Sequence, residues 1–199
     1  MKEDRMNQDK NSRKENASAG SEAPRLAIGA AACAGLLRLI AVIPNFSPAG
    51  GLFLYSGARL QGPLSFALPL GLMLTTNFLL SLIRPDYPFM NGAILAVLAA
   101  LSLNLLLGRL LRKTENPLAI GGAALAGSVQ FFLTTNFAVW LTTPYYAKTM
   151  AGLADCYIKG LPFYQYTLLG DLVFTGVLFG AHHVLARRWF PNEAIPRPA

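Results

Sequence analysis

An all-α membrane protein of about six transmembrane helices is the fold class that three observations predict. The 199-residue chain is 53% hydrophobic and only 14% charged, with a mean hydropathy of +0.40, whereas a soluble domain carries about 25% charged residues. The charge is crowded at one end: residues 1–25 hold eleven of the 27 Lys, Arg, Asp and Glu. What remains is a series of long apolar runs separated by short polar ones, the pattern of a chain that crosses a bilayer repeatedly.

The stretch MKEDRMNQDKNSRKENASAGSEAP, residues 1–24, has no aromatic and no β-branched residue. It cannot bury enough surface to offset chain entropy, so it is expected to be a disordered cytoplasmic tail. It does not read as a cleavable signal, because the apolar run that follows begins late and leads into a full span. A membrane domain over residues 25–190 and a short cytoplasmic tail over 191–199 complete the expected organisation.

A bilayer core of about 30 Å needs about 20 helical residues. Six segments are assigned: Arg25–Ile43, ended by Pro44; Pro48–Leu60; Pro63–Ile83, containing Pro69; Gly92–Leu111; Leu118–Leu141; and Tyr166–Arg187. The second is short and Gly-rich, so it reads as a half-span or part of a re-entrant element. Between the fifth and sixth, Met150, Leu153, Ala154, Tyr157, Ile158 and Leu161 recur at helical spacing among Lys148, Asp155 and Lys159. This Tyr145–Leu161 stretch is expected to be an amphipathic helix lying at the outer interface, or a lid over a cavity.

Basic residues set the orientation. With the N-terminus inside, thirteen Lys and Arg fall on the inner side and three (Arg84, Lys148 and Lys159) on the outer side, with Arg38 inside a span. That bias puts both termini in the cytoplasm. The net charge of +7 is read the same way, as residues flanking spans, and no nucleic-acid partner is expected. Cys33 and Cys156 lie in a span and a connecting segment, which suggests neither a disulfide nor a metal site. The chain carries no P-loop, GxSxG, HExxH or CxxC, so an enzymatic role is not expected and no cofactor is implied.

Charged residues inside a span are costly and therefore candidates for function. Arg38 lies five residues before the outer end of the first span and Asp171 five residues after the outer start of the sixth, which puts both about 7.5 Å below the boundary. Equal depth and opposite sign predict an ion pair, acting either on a ligand or only to fix helix positions. A polar triplet recurs within oily runs, as LTTNF at Leu74–Phe78 and again within FFLTTNFAVW at Phe131–Trp140. Asn77 is expected to bond to a neighbouring helix. Asn136 shares a face with Trp140, and Tyr145 and Tyr146 lie just outward; an amide, an indole and phenols at a mouth suit a small polar or aromatic ligand. The IPNFSP turn adds Asn45 and Phe46 at the same level. On the first span, Ala27, Ala31 and Gly35 form a small-residue face that lets another helix approach closely, from this chain or another subunit. His182 and His183 are adjacent, make a poor metal pair and are expected at the inner interface.

The run from Arg38 through Pro44-Asn45-Phe46-Ser47-Pro48 to Gly50, the stretch FFLTTNFAVWL, and YYAKTMAGLADCYIKGLPFYQYTLLGDLVFTGVLFG resemble DUF6580, a group of small bacterial membrane proteins of unknown function. The resemblance covers about Arg38 to Gly180. That group in turn looks like the S components of energy-coupling factor (ECF) vitamin transporters, which implies an S-component-like bundle in the inner membrane. It implies a small organic solute or vitamin bound at the outer face, and a T component with ATP-binding subunits as partners. Under this resemblance Ala27, Ala31 and Gly35 would dock the T component and Asn45–Ser47 would gate the site. Arg38, Asn136, Trp140, Tyr145, Tyr146 and Asp171 would contact the solute. S components usually carry an acidic residue in the third span where this chain has TTNF, and the nickel and cobalt versions need an N-terminal histidine absent here, which disfavours a metal substrate. Two other roles are compatible with the residues: a scaffold whose polar groups only lock helices, and a stand-alone ion-coupled transporter using Asp171.

Overall fold

The structure, a computed structural model, describes residues 24–40, 43–84 and 94–195. The expected disordered tail therefore lies outside the described residues except for Pro24. Six α-helices follow in order: α1 (Arg25–Leu37), α2 (Ala49–Arg59), α3 (Leu64–Ile83), α4 (Ile94–Leu110), α5 (Pro117–Thr142) and α6 (Met150–Trp189), with a 3₁₀ turn at Pro191–Glu193. Among the described residues there is no strand. Three helices, α3, α5 and α6, are long and apolar enough to cross a membrane, and α1 and α4 are shorter apolar helices. This is fewer full spans than the six expected.

Three helices fall short: α1, α4 and, with the clearest physical cause, α2. Its eleven residues rise only about 16 Å, yet Gly51 through Ala58 are all buried. The helix is a half-length core element against which every other helix packs. Glycines admit that packing: a Cβ on Gly57 would lie 2.0 Å from the Leu105 carbonyl oxygen of α4. Outside this core the apolar side chains point away from the protein, as Leu95, Leu110 and Leu118 do. A bilayer solvates such a surface as well as a protein interior would.

Local signals set the boundaries. Pro48 precedes α2, and Gly62, at φ +59°, turns the chain before Pro63 opens α3. Asn116 caps α5 with Pro117 at its first position, and the Thr149 side chain accepts from Gly152 N at the start of α6.

The outer amphipathic segment is not a separate helix at the interface. It forms the first turns of α6, which runs unbroken through Pro162 for 40 residues, about 60 Å. Proline removes one hydrogen bond and crowds the preceding turn, but α5 holds the helix on both sides of it. The Phe132 ring lies 5.7 Å from that of Tyr157 and 4.7 Å from that of Tyr164, and the Tyr157 hydroxyl donates to Leu133 O.

The start of α1 and the turn after α6 meet at one end of the bundle. Glu193 accepts hydrogen bonds from Leu26 N at 2.9 Å and Ala27 N at 3.0 Å, closing the open N-terminus of α1. Glu193 thus ties the residues after α6 to the start of α1. At the same end Arg59 donates to Leu111 O and Thr114 O, and Arg187 pairs with Glu115. His182 is also corrected: it is buried and hydrogen-bonded to the Tyr55 hydroxyl at 2.7 Å, while His183 faces outward to Glu115. Neighbouring residues on a helix point in different directions, so only one of the pair reaches the surface.

Candidate solute-binding site

At the opposite end the Ile43–Ser47 turn borders a cavity of about 480 Å³. Asn45 supplies the turn, with a φ of +64°, a left-handed conformation that Asn tolerates better than most residues. The turn sets the Phe46 ring 5.3 Å from that of Phe174 on α6. Ile43 through Ser47 line one wall, Leu80 and Met73 of α3 and Leu101 of α4 another, and Phe131, Thr167 and Asp171 bring α5 and α6 to the site.

Four of the sequence-predicted residues meet here: Arg38, Asn45, Phe46 and Asp171 all line the cavity. The ion pair expected between Arg38 and Asp171 is not formed; among the described residues the ion pairs are Lys159–Asp155, His183–Glu115 and Arg187–Glu115. Arg38 turns to α3 instead, donating to Thr76 Oγ1 at 2.7 Å, Asn77 Oδ1 at 2.9 Å and Met73 O at 3.3 Å. Asp171 is 4% exposed. Its carboxylate lies over Gly50, where a Cβ would come within 2.1 Å of Oδ1, so glycine is what lets α2 and α6 meet at this point.

The other predicted contacts lie away from the cavity. The Asn136 amide donates to Phe132 O within α5, and its oxygen packs against Gly160 of α6, 2.6 Å from where a Cβ would stand. Trp140 donates from Nε1 to Ala147 O and accepts at its carbonyl from Lys148, which fastens the α5–α6 turn. Tyr145 is exposed, and Tyr146 stacks beneath the Lys159 ammonium. The two TTNF copies therefore do different work: the first receives Arg38, and the second joins α5 to α6.

The small-residue face of α1 is spent inside the chain. Ala27 and Ala31 are fully buried and Gly35 meets Leu72 of α3. Of the two partners its spacing allowed, a helix of the same chain is the one present.

Sequence reasoning missed Arg84, which lines the cavity and had stood out only as an outer charge. It also missed the half-buried pair in which Gln130 donates to Asn104 Oδ1 at 2.6 Å, and the buried hydroxyls of Ser128 and Thr175. Each is one polar residue in an apolar run, a signal that could have been pursued as it was for the two asparagines.

Fold and site together define a class: an all-helical protein of membrane type, with a polar-floored cavity at the end of the bundle away from its termini. Residues 20–194 match the model of a family of unknown function, DUF6580, and the chain belongs to that family. No curated protein and no solved structure matches the chain.

Proposed function

We propose that this protein is an integral membrane subunit that binds a small organic solute, as S components of ECF transporters do, in the cavity beneath the α1–α2 turn. The cavity carries the reading. Its volume of about 480 Å³ lies in the range of small-molecule sites, about 300–1,000 Å³. Its walls are mainly apolar, and a few polar residues are among those that line it: Arg38, Arg84, Asn45 and Asp171. Two cations to one carboxylate favour a solute that carries a carboxylate of its own. The basic residues at the other end, Arg59, Arg112, Lys113, Arg187 and Arg188, support a cytoplasmic placement of the termini, and hence a cavity open to the outside. With no nucleotide-binding motif of its own, a subunit of this kind would draw energy from a T component and ATP-binding subunits.

The test is purification of the full-length protein from its own membranes in mild detergent, followed by native mass spectrometry. The expected result is a retained solute, lost in Phe46→Ala and Arg84→Gln while both variants stay monodisperse. A wild-type protein that retains nothing, and whose Tm is moved by no member of a panel of small carboxylates and vitamins, overturns the reading. Purification without a T-like partner, under conditions that keep other complexes intact, removes the energy-coupled part and favours a stand-alone transporter. The scaffold role rests on one observation, the hydrogen bonds by which Arg38 ties α1 to α3, and it predicts normal folding with no ligand at all.

A further inference from the structure

Below the cavity floor lie buried oxygens that are poorly satisfied among the described residues. Ser128 of α5 is 0% exposed, Thr175 of α6 2% and Asp171 4%. Among the described residues Thr175 Oγ1 has no hydrogen-bond partner, and Ser128 Oγ has only the Asp171 carboxylate beside it, with no contact of ordinary hydrogen-bond length. Buried polar atoms of this kind are rare in folded proteins and each calls for a partner. Here they lie at one junction. Asp171 and Thr175 are four residues apart, so their side chains stand one above the other on the same face of α6. They press on consecutive glycines of α2: a Cβ on Gly50 would lie 2.1 Å from Asp171 Oδ1, and a Cβ on Gly51 would lie 3.1 Å from Thr175 Oγ1. Ser128 is the polar neighbour of the carboxylate on the α5 side.

We propose that this junction of α2, α5 and α6 binds an alkali-metal cation through the Asp171 carboxylate, Ser128 Oγ and Thr175 Oγ1. The donor set is all oxygen, which suits a hard cation and excludes the softer transition metals. The charge points to a monovalent ion. One carboxylate is present, and it lies against the first turn of α2, whose dipole is positive at that end. A divalent ion there would remain uncompensated. Water alone would satisfy the hydroxyls but would leave the carboxylate charge unbalanced among apolar helices. Glycine at positions 50 and 51 is what lets the Asp171 and Thr175 side chains come this close to α2. Because Asp171 also lines the cavity above, a cation held here would add positive charge beneath a bound solute. The site itself does not depend on any solute and is tested without one.

The experiment is thermal unfolding of the full-length protein in lipid nanodiscs. Sodium chloride, potassium chloride and N-methylglucamine chloride are compared at equal ionic strength, and binding of ²²Na⁺ is measured by scintillation proximity. The expected result is a saturable rise in Tm with sodium or potassium over N-methylglucamine, as for any ligand that binds only the folded state. Thr175→Val, which keeps the shape of the side chain, and Ser128→Ala should each weaken the apparent cation affinity by about tenfold, the loss of one oxygen ligand. Asp171→Asn should abolish the response. Identical Tm values in the three salts, with no ²²Na⁺ bound by the wild type, assign the cluster to buried water and overturn the proposal. So does a cation response that is unchanged in both hydroxyl variants.

Discussion

Gly57 of α2 and Gly108 of α4 cross back to back. A Cβ on the first would lie 2.0 Å from the Leu105 carbonyl oxygen, and a Cβ on the second 2.0 Å from that of Leu54. The colliding atoms are backbone in both directions, so no side chain can swing aside. Gly57→Ala and Gly108→Ala should each destabilise the bundle by about 1–3 kcal/mol or more, the cost of overpacking, read as a lower Tm in detergent. Gly71→Ala and Gly180→Ala are the controls, because a Cβ at either meets nothing within 4 Å. Equal losses at all four positions would show that the crossing is not the constraint.

Glu193 should behave as a helix cap delivered from the far end of the chain. Pro24, the residue before α1, makes no side-chain cap, and the Glu193 carboxylate takes the first two free amides instead. Removing a cap costs about 1–2 kcal/mol, and a negative charge at this end also favours the helix dipole. Glu193→Ala should therefore lower Tm and speed hydrogen exchange at Leu26 and Ala27, with Glu193→Gln intermediate. Unchanged exchange at these amides would rule out the capping role.

Glu115 should give the bundle an acid-sensitive latch. Desolvation pushes its carboxyl up, but hydrogen bonds from Arg187 at 2.6 Å and His183 at 3.0 Å, with their charges, outweigh it and hold it below the usual carboxylate value. A depressed folded-state pKa stabilises the protein above the unfolded value, and that contribution is lost as pH falls through the folded one. Tm should accordingly drop between about pH 5 and pH 3, and part of that drop should be missing in Glu115→Gln. A variant with the wild-type acid profile would place the sensitivity elsewhere.

Arg38 should not be rescued by exchanging charges with Asp171. Its guanidinium serves Thr76, Asn77 and Met73, so a carboxylate at position 38 leaves those acceptors unmet wherever the arginine goes. The Arg38→Asp, Asp171→Arg double variant should give no more monodisperse protein than either single variant. Recovery to near the wild-type yield would show that the two residues pair in the membrane.

The helices were legible because their signals are local. The Pro44-to-Pro48 turn, the Asn116-Pro117 start and the long apolar runs all lie in contiguous residues, and the edges of α3, α4 and α5 fall within two residues of those expected. The fusion of the amphipathic segment with the last span was not legible. Pro162 and three charged residues argue locally for a break, and what overrides them is contact with Phe132 and Leu133, about 30 residues away. The site was legible in part. Arg38, Asn45, Phe46 and Asp171 stood out by charge or by turn chemistry, whereas Arg84 joins them only because α3 ends beside the cavity.

The amino-acid sequence alone determined that the chain is helical, apolar and of membrane type, that one charge, Asp171, lies within an apolar helix, and that α1 carries a face of small residues, whereas Arg38, expected inside the first span, stands just past the end of α1. Those properties follow from composition and from spacing along a single helix. Only the tertiary structure decided what each face meets: that the α1 face is buried inside the bundle, with Gly35 against Leu72 of α3, that one TTNF receives Arg38 while the other packs on Gly160, and that Asp171 lies against Gly50 rather than an arginine. A helix states which residues share a side, but the direction that side faces is set by packing among elements far apart in the chain. Six helices that are all apolar offer little in their own residues to choose one neighbour over another.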